Sequence, residues 1–280
     1  MPAPIADAKG QIQPRTTETQ SAADKMAAIV TKMTPDLARA LPKHMTGERM
    51  ARIVVTAIRM TPKLAECTPA SFIGCVLSCA VLGLEPNTPL GHAYLIPRKN
   101  NKTNKVECTL QLGYMGMIEL GGRSGTTIYA YAVREGDDFR YELGLQPDIH
   151  HVPSEAADRE TKLVTHAYCV SVTPDGRRAF TVLNKVQIEA RRARSATANE
   201  GPWVTDYEAM CLKTAVRAHF KWIPKQTEKE AILARGVAIE EAAENGTSIM
   251  NAMDPMVTDA MERQGLDTTG ENVDPQPTGN

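Results

Sequence analysis

Residues 90–116, LGHAYLIPRKNNKTNKVECTLQLGYMG, contain two strand-like runs separated by a polar segment. The second run alternates apolar residues with polar ones: Val106, Cys108, Leu110 and Leu112 against Glu107, Thr109 and Gln111. A period of two is typical of a strand with one buried and one solvated face. The stretch therefore predicts an antiparallel β-hairpin around which the rest of the fold is built.

The polar segment of this hairpin is strongly basic. Its cations are Arg98, Lys99, Lys102 and Lys105, with no acidic residue before Glu107. Tyr94, Gln111 and Tyr114 lie close by in the sequence. A rigid sheet edge that carries cations, amides and aromatic rings suits a nucleic-acid backbone with exposed bases.

Helices are predicted on both sides of the hairpin. Thr46 is a candidate N-cap for a helix through Met60, and Thr68-Pro69 opens another that Gly83 closes. The further helices are predicted near Met26–Met33, at Tyr114–Arg123, at about Asn184–Ser195 and at about Val204–Ile223.

Strands alternate with turn signals after the hairpin. Thr126–Arg134 alternates apolar and polar residues, and Asp138–Leu143 could pair with it after the turn at Gly136. Val164–Val172 and Arg177–Leu183 flank a Thr-Pro-Asp-Gly turn at residues 173–176, and His150-His151 falls in a loop. We predict an α+β fold, mainly antiparallel β-sheet built from hairpins and packed by helices before and after it.

The two ends of the chain differ from its body. Residues 1–24 are rich in Pro, Ala, Thr and Gln and predict a disordered arm, followed by a binding and oligomerisation domain over residues 25–225. Residues 226–280 carry 11 acidic and 3 basic residues, a net charge of −8, which leaves +7 for residues 1–225. A basic body with an acidic tail is common among nucleic-acid binders. We expect a partly disordered tail, from residue 245 onward in particular, that contacts partners; a solvated tail without a role is the alternative.

Motifs of the common enzyme classes are not found. The glycine-rich stretch at residues 121–125 lacks the Gly-Lys-Ser/Thr that ends a phosphate-binding loop, which disfavours ATP hydrolysis. No G-x-S-x-G or H-E-x-x-H occurs. We predict no catalytic residue and no required cofactor, with Mg²⁺ left open because Glu135, Asp137 and Asp138 are weak candidate ligands. A solvated turn is the more common role of such a run.

Cysteine spacing and hydropathy indicate the compartment. None of the six cysteines forms a C-x-x-C pair, which disfavours a zinc site. No window approaches the ~20 apolar residues that span a bilayer, and the N-terminus has no long apolar run. We expect a cytoplasmic protein with reduced thiols and no membrane association.

Two further rows of cations lie in the late helices. They are Arg191, Arg192 and Arg194 in the first helix, and Lys213, Arg217 and Lys221 at every fourth position of the second. Trp203 lies between the rows, where it could stack on a base or pack in the core. We predict that these rows and the hairpin form a basic channel for an unpaired nucleic-acid strand, without the motifs of sequence-specific duplex binders.

Five segments resemble the RecT family of phage single-strand annealing proteins, in the same order and over roughly residues 40–225. The segments are ALPKHMTGERMARI, LGLEPNTPLGHAYLIP, LQLGYMGMIEL, VREGDDFRYELG and GPWVTDYEAMCLKTAVRAHFKWIP. The resemblance implies ATP-independent annealing of single strands into duplex during phage recombination, by a ring or helical filament on DNA. It also implies a partner 5′→3′ exonuclease and contact between the C-terminal region and the bacterial host's single-strand binding protein.

The resemblance also assigns DNA-binding residues. Lys213 and Arg217 match a K-T-x-x-R helix and are the strongest candidate phosphate ligands, while Arg123 matches the basic position of R-S-G. Gln111, Tyr114 and Trp203 lie in matching elements, although Met115 replaces the basic residue that the family has after the tyrosine. The alternatives are a Mg²⁺-dependent nuclease or another phosphoryl-transfer enzyme, and a structural phage protein that touches DNA.

Overall fold

The computed structural model describes residues 17–100, 104–195, 198–223, 228–245 and 255–266. Its helices are α1 (Thr17–Lys32), α2 (Thr34–Ala40), α3 (Gly47–Met60), α4 (Pro69–Leu82), α5 (Tyr114–Arg123), α6 (Lys185–Arg192), α7 (Pro202–Thr205), α8 (Tyr207–Phe220), α9 (Glu228–Asn245) and α10 (Pro255–Arg263). Short 3-10 turns cover Pro62–Glu66 and Arg159–Thr161. Within these ranges, no helix has the length and apolar character required to cross a bilayer.

Three antiparallel sheets accompany the helices. The strands are β1 (Ala93–Asn100), β2 (Lys105–Leu112), β3 (Thr127–Arg134), β4 (Asp138–Glu142), β5 (Asp148–Val152), β6 (Val164–Val172) and β7 (Arg178–Asn184). They pair as β1-β2, as β3-β6-β7 in that order, and as β4-β5. The prediction of an α+β fold built from hairpins and flanked by helices is confirmed.

Helix α4 lies at the centre of the core. The side chain of Thr68 accepts a hydrogen bond from the backbone N–H of Ser71, Pro69 occupies the first turn, and Gly83 adopts the left-handed conformation (φ 61°) that ends the helix. Both predicted caps are therefore confirmed. Ten consecutive residues from Ser71 to Ala80 are buried, so α4 is enclosed on all sides rather than along one stripe.

The β1-β2 hairpin is fixed to α4 by hydrogen bonds as well as by apolar contacts. The backbone N–H of Cys108 donates to Ser71 Oγ (2.9 Å), and the Cys75 thiol donates to the Cys108 carbonyl (3.3 Å). Leu95 and Leu110, which are cross-strand partners, are buried on the same face. The apolar side chains at every second position of the hairpin therefore form the face that packs against α4.

Two glycines allow the start of α5 to approach the start of the hairpin. A Cβ atom at Gly113 would lie 1.8 Å from the Gly91 carbonyl oxygen, and one at Gly116 would lie 2.1 Å from the His92 carbonyl oxygen. No other residue fits at these positions without moving the backbone. The LGYMG sequence therefore fixes the position of α5 relative to β1.

The three-stranded sheet packs one face against α8. β3 pairs with β6 over eight positions, so β4 does not pair with β3 as predicted. Instead β4 pairs with β5, which contains His150 and His151 and is not the loop that the sequence suggested. The Phe139 ring stacks on Tyr168, with ring centroids 5.6 Å apart, and this contact places β4 over the sheet rather than at its edge.

Parts of both end segments are helical. Helix α1 begins at Thr17, inside the segment expected to be a disordered arm, while residues 1–16 lie outside the described residues. α9 packs against β2, and its Ile239 is buried. α10 packs against α4 through Val257 and Met261, inside the segment for which disorder was expected. The remaining tail residues, 246–254 and 267–280, lie outside the described ranges.

Candidate nucleic-acid interface

Helix α8 carries the row of cations, and polar contacts at both of its ends fix its position. Arg134, at the end of β3, forms an ion pair with Glu208 in the first turn of α8. The Tyr207 hydroxyl donates to Glu189 Oε1 of α6 (2.6 Å). Burial, followed by this hydrogen bond, raises the pKa of Tyr207, so the phenol stays protonated. These contacts hold the beginning of α8 against β3 and α6.

The last turn of α8 is fixed by a buried histidine. His219 Nε2 lies 2.8 Å from Ser171 Oγ, and His219 Nδ1 lies 3.0 Å from Thr181 Oγ1. Burial lowers the pKa of His219 to about 4, so the imidazole is neutral at physiological pH. A neutral ring can donate at one nitrogen and accept at the other, which matches two hydroxyl partners.

The cation row lies beside the buried stripe of α8. Cys211, Thr214 and Ala215 are buried, whereas Lys213 and Arg217 are half-buried and Lys221 is exposed. Residues four apart occupy the same side of a helix, one turn above each other. Lys213 and Arg217 therefore lie on one side of α8, and Lys221, directly after its last residue, continues the row.

An exposed aromatic residue that the sequence analysis missed lies next to this row. The Trp222 side chain is 74% exposed and directly follows Lys221. Only the Lys-Trp pair at the end of an amphipathic helix pointed to it. An exposed indole beside a lysine is the type of group on which nucleic-acid bases stack.

Trp203, by contrast, is 5% exposed and lies in the core. Its ring contacts Tyr207 (centroids 6.1 Å apart), and the Arg192 guanidinium lies 5.9 Å from its centroid. Of the two roles considered for Trp203, base stacking and packing in the core, its position is that of a core residue. The side chain offers no open stacking surface in this structure.

The arginines of α6 differ in their surroundings. Arg192 is half-buried between Trp203 and Tyr207 and donates to the Ala198 carbonyl (2.7 Å). Arg191 donates to the Gln187 carbonyl (3.1 Å), and Arg194 is exposed. Because α6 packs against α8, Arg191 and Arg192 lie on a helix next to the one that carries Lys213 and Arg217, while Arg194 follows the end of α6.

The hairpin tip forms a separate basic region. Arg98 and Lys99 are exposed and Lys105 is half-buried, whereas Lys102 lies outside the described residues. Lys105 and Leu112 are seven steps apart on β2, or about 24 Å in an antiparallel strand. The tip is thus far from the hairpin base, where α5 follows and packs on α8.

Two other predicted residues lie near that base. Gln111 is half-buried opposite Tyr94, whose side chain is exposed. Tyr114 is the first residue of α5 and packs partly against the core. Both therefore lie at the base of the hairpin and not at its tip.

Arg123 has backbone partners. Its guanidinium donates to the carbonyls of Leu82 (2.6 Å) and Gly83 (2.8 Å), and it pairs with Glu119 (3.1 Å). These bonds satisfy carbonyls at the C-terminus of α4. The structure thus gives Arg123 a part in holding α5 to α4, and its contact with DNA stays a prediction.

Two of the three candidate metal ligands, Asp137 and Asp138, are paired with other groups. Asp137 is enclosed and accepts from Arg159 Nε and Nη2 (2.8 Å each), from two backbone N–H groups and from His151. The Arg159 guanidinium is the main cause that holds the pKa of Asp137 well below its usual range. Asp138 pairs with Arg140 and His150, and Glu135 is exposed. Among the described residues, no group of three or more His, Cys, Asp or Glu side chains is arranged to hold a metal ion.

Burial lowers the reactivity of two cysteine thiols. All six are free and buried. Burial raises the pKa of Cys211 to about 11 and that of Cys169 to about 12. Both stay protonated at neutral pH, and a thiol rather than a thiolate is a poor nucleophile.

Comparison with known proteins identifies the family. The RecT family profile matches residues 48–253, which include the hairpin, the three-stranded sheet and α8. The chain is 42% identical to the protein RecT of Escherichia coli (strain K12) over 243 residues, 84% of this chain and 88% of that protein. It is 26% identical over 162 residues to the uncharacterized protein YqaK of Bacillus subtilis (strain 168), 57% of this chain and 53% of that protein. The chain belongs to the RecT family.

Proposed function

We propose that this protein binds single-stranded DNA and anneals complementary strands during phage recombination, without ATP and as an oligomer on the DNA. The observation that carries the proposal is the RecT family match, which covers α8 and its cation row. The resemblance of the K-T-x-x-R segment to the family assigns phosphate binding to Lys213 and Arg217.

The cation row supports the proposal through electrostatics. Lys213, Arg217 and Lys221 rise about 6 Å per step along α8, which gives a line of positive charge about 12 Å long. The main barrier to annealing is the repulsion between two polyanions. A row of cations on a fixed helix lowers this barrier because it neutralises phosphates of the first strand and releases their counterions.

The bases must remain available for the second strand. Contacts to phosphates position a strand and leave its sequence unread, so any sequence can be held. Trp222, beside Lys221, could stack on one base and orient its neighbours. A second strand would then pair with the exposed base edges, and register would be kept only where enough pairs form.

In the proposal, the hairpin tip is a second basic region that contacts the same DNA strand. Arg98, Lys99 and Lys105 would contact a strand at a distance from α8. A strand that engages both regions binds more tightly than either region alone would bind it, because the second contact becomes intramolecular. Oligomerisation along the DNA multiplies such contacts further.

Partners and cofactor complete the proposal. A 5′→3′ exonuclease would produce the single strand, and the C-terminal region would contact the host single-strand binding protein. Mg²⁺ would act by screening the DNA rather than at a site on the protein, because Asp137 is already saturated with donors. The protein would act in the cytoplasm of the bacterial host.

An annealing assay tests the proposed function. Purified protein, two complementary labelled oligonucleotides and no nucleotide triphosphate should give duplex faster than the oligonucleotides alone, with strand lengths unchanged. Single-strand binding should also weaken with salt. In a plot of the logarithm of the binding constant against the logarithm of the salt concentration, the slope should be about −0.7 for each phosphate that the protein neutralises. Shortened strands in the presence of Mg²⁺ would indicate a nuclease, and an unchanged annealing rate would refute the proposal.

A further inference from the structure

The three-stranded sheet has a second face, opposite α8, that is apolar and accessible. We call it the open face, and its residues alternate with those that point to α8. Its apolar members are Tyr129, Tyr131, Val170, Val172, Phe180 and Val182. All six are half-buried or exposed, and none belongs to the hydrophobic core or packs against it. A contiguous apolar patch of this kind marks an interaction surface.

The hairpin of β4 and β5, residues 138–152, forms an arm whose base packs at one end of this face. Phe139 stacks on Tyr168 there, and His151 Nδ1 lies 3.1 Å from the Tyr168 hydroxyl. The Asp137–Arg159 ion pair closes the base. The base of the arm is therefore fixed, and its direction is set by buried contacts.

The tip of the arm is apolar and exposed. Leu145 is fully exposed, and Leu143 and Tyr141 are also exposed. Two leucines in a five-residue loop between short strands are not required by the turn. They are the type of side chain that becomes buried when a partner is present.

Charges near the tip and on the open face are complementary. Glu142 and Asp148 lie directly opposite each other on β4 and β5, an arrangement that destabilises an isolated hairpin. Arg178 is exposed on the open face, beside Val172 on the neighbouring strand. Within the described residues, Glu142, Asp148 and Arg178 form no ion pair with one another. A cation placed between Glu142 and Asp148 would relieve their repulsion.

We propose that the arm of one copy packs on the open face of a second copy, with Leu143 and Leu145 against Val170 and Phe180 and with Glu142 and Asp148 near Arg178. This inference rests on the proposed oligomer and names the contact that builds it. The occupant is a second copy because the complementary charges lie on the same chain, on surfaces at opposite ends of the sheet. The base of the arm already packs on this face through Phe139, so the chemistry of the contact is the same.

The contact is heterologous, since it joins two different surfaces. An open assembly keeps a vacant arm at one end and a vacant face at the other, while every interior copy uses both surfaces. Such contacts generate rings when the rotation closes and helical filaments when it does not. One arm and one face per chain are therefore sufficient for growth along DNA.

Two variants separate the surfaces. Leu145→Glu changes the arm and Arg178→Glu changes the face, and both positions are exposed, so the fold should be retained and circular dichroism would check this. In sedimentation velocity with a single-stranded oligonucleotide, each variant should lose at least tenfold in assembly affinity. Met60→Glu, at an exposed apolar position on α3, is the matched control and should assemble like the unmodified protein.

A mixing experiment gives the sharper test. Leu145→Glu retains an intact face and Arg178→Glu retains an intact arm, so an equal mixture should form dimers and nothing larger. The triple variant Glu142→Arg, Asp148→Arg, Arg178→Glu should regain assembly. Single variants that assemble normally, or a mixture that stays monomeric, would overturn the contact while leaving the proposed function intact.

Two further outcomes have defined meanings. If Arg178→Glu loses oligonucleotide binding as a monomer while Leu145→Glu keeps it, the open face binds DNA and the proposed contact is wrong. If the unmodified protein is monomeric with and without DNA, the proposed oligomer itself fails and the contact fails with it.

Discussion

His219 of α8 is hydrogen-bonded to Ser171 of β6, with Nε2 and Oγ 2.8 Å apart and both residues buried. This bond and the one to Thr181 connect the helix that carries the cation row to two strands of the sheet. The helix is therefore held by a neutral, buried histidine, and its position depends on the protonation state of that ring.

Acid should destabilise the protein through His219. The folded-state pKa of about 4 lies below the ordinary value of 6.5, so the unfolded chain binds a proton first as pH falls. The contribution of this neutral ring is complete above pH 6.5 and is lost progressively between pH 6.5 and about 4. The difference corresponds to roughly 3 kcal/mol. Urea unfolding from pH 7.5 to 4.5 would measure it, with His219→Gln as the non-titrating control; parallel pH profiles for the two proteins would contradict this account.

Asp137 should be far more important for stability than its neighbour Asp138. Asp137→Asn removes the carboxylate that pairs with Arg159 and leaves a partly buried cation, so we expect a loss of about 3 kcal/mol. Asp138→Asn alters only exposed ion pairs and should cost less than about 1 kcal/mol. Thermal or urea unfolding of both variants provides the comparison, and equal losses would show that the network does not stabilise the base of the arm.

The two tryptophans should give opposite phenotypes. Trp203→Ala creates a cavity in the core and should cost about 3–5 kcal/mol in the free energy of unfolding. Trp222→Ala removes an exposed ring and should leave stability unchanged, while the affinity for single strands falls about tenfold. Fluorescence titration with an oligonucleotide and a urea melt separate the effects. If Trp222→Ala binds single strands with unchanged affinity, the Trp222 ring is not part of the binding surface.

The helical part of the C-terminal segment should be structural. Truncation after Asn245 removes α10, which exposes the surface that Val257 and Met261 cover and breaks the contacts of Asp36 with Arg263 and Gln264. We expect a loss of roughly 3 kcal/mol from the two apolar side chains. Truncation after Leu266 keeps α10 and should preserve stability. If the shorter chain unfolds at the same urea concentration as the longer one, α10 contributes nothing to the fold.

The sequence predicted those elements that depend on local chemistry. The caps at Thr46 and Thr68, the turn at residues 173–176 and the alternation in β2 each lie within a few residues of the structure they determine. The boundaries of α5 agree with the prediction at both ends. The predicted Val204–Ile223 helix is divided at Asp206, whose φ of −139° and ψ of 50° lie outside the helical region, so α7 ends at Thr205 and α8 begins at Tyr207.

Other features depend on distant parts of the chain. β3 pairs with β6, and Tyr131 lies opposite Tyr168, 37 positions later, so no local pattern could show that β4 is excluded from this sheet. For the same reason, the sequence could not show that Trp203 is buried and Trp222 is exposed, because the burial of an aromatic ring depends on which elements cover it. The acidic composition of the C-terminal segment indicated disorder, yet α10 is held by the buried Asp36, far away in the sequence.

Annealing by a double variant of α8 tests the central claim most directly, namely that the cation row of α8 holds single-stranded DNA. Lys213→Ala with Arg217→Ala should reduce the annealing rate to that of the oligonucleotides alone, while the circular dichroism spectrum stays unchanged. Arg52→Ala with Lys63→Ala, which removes two exposed cations elsewhere, should anneal like the unmodified protein. Normal annealing by the α8 variant would contradict the account.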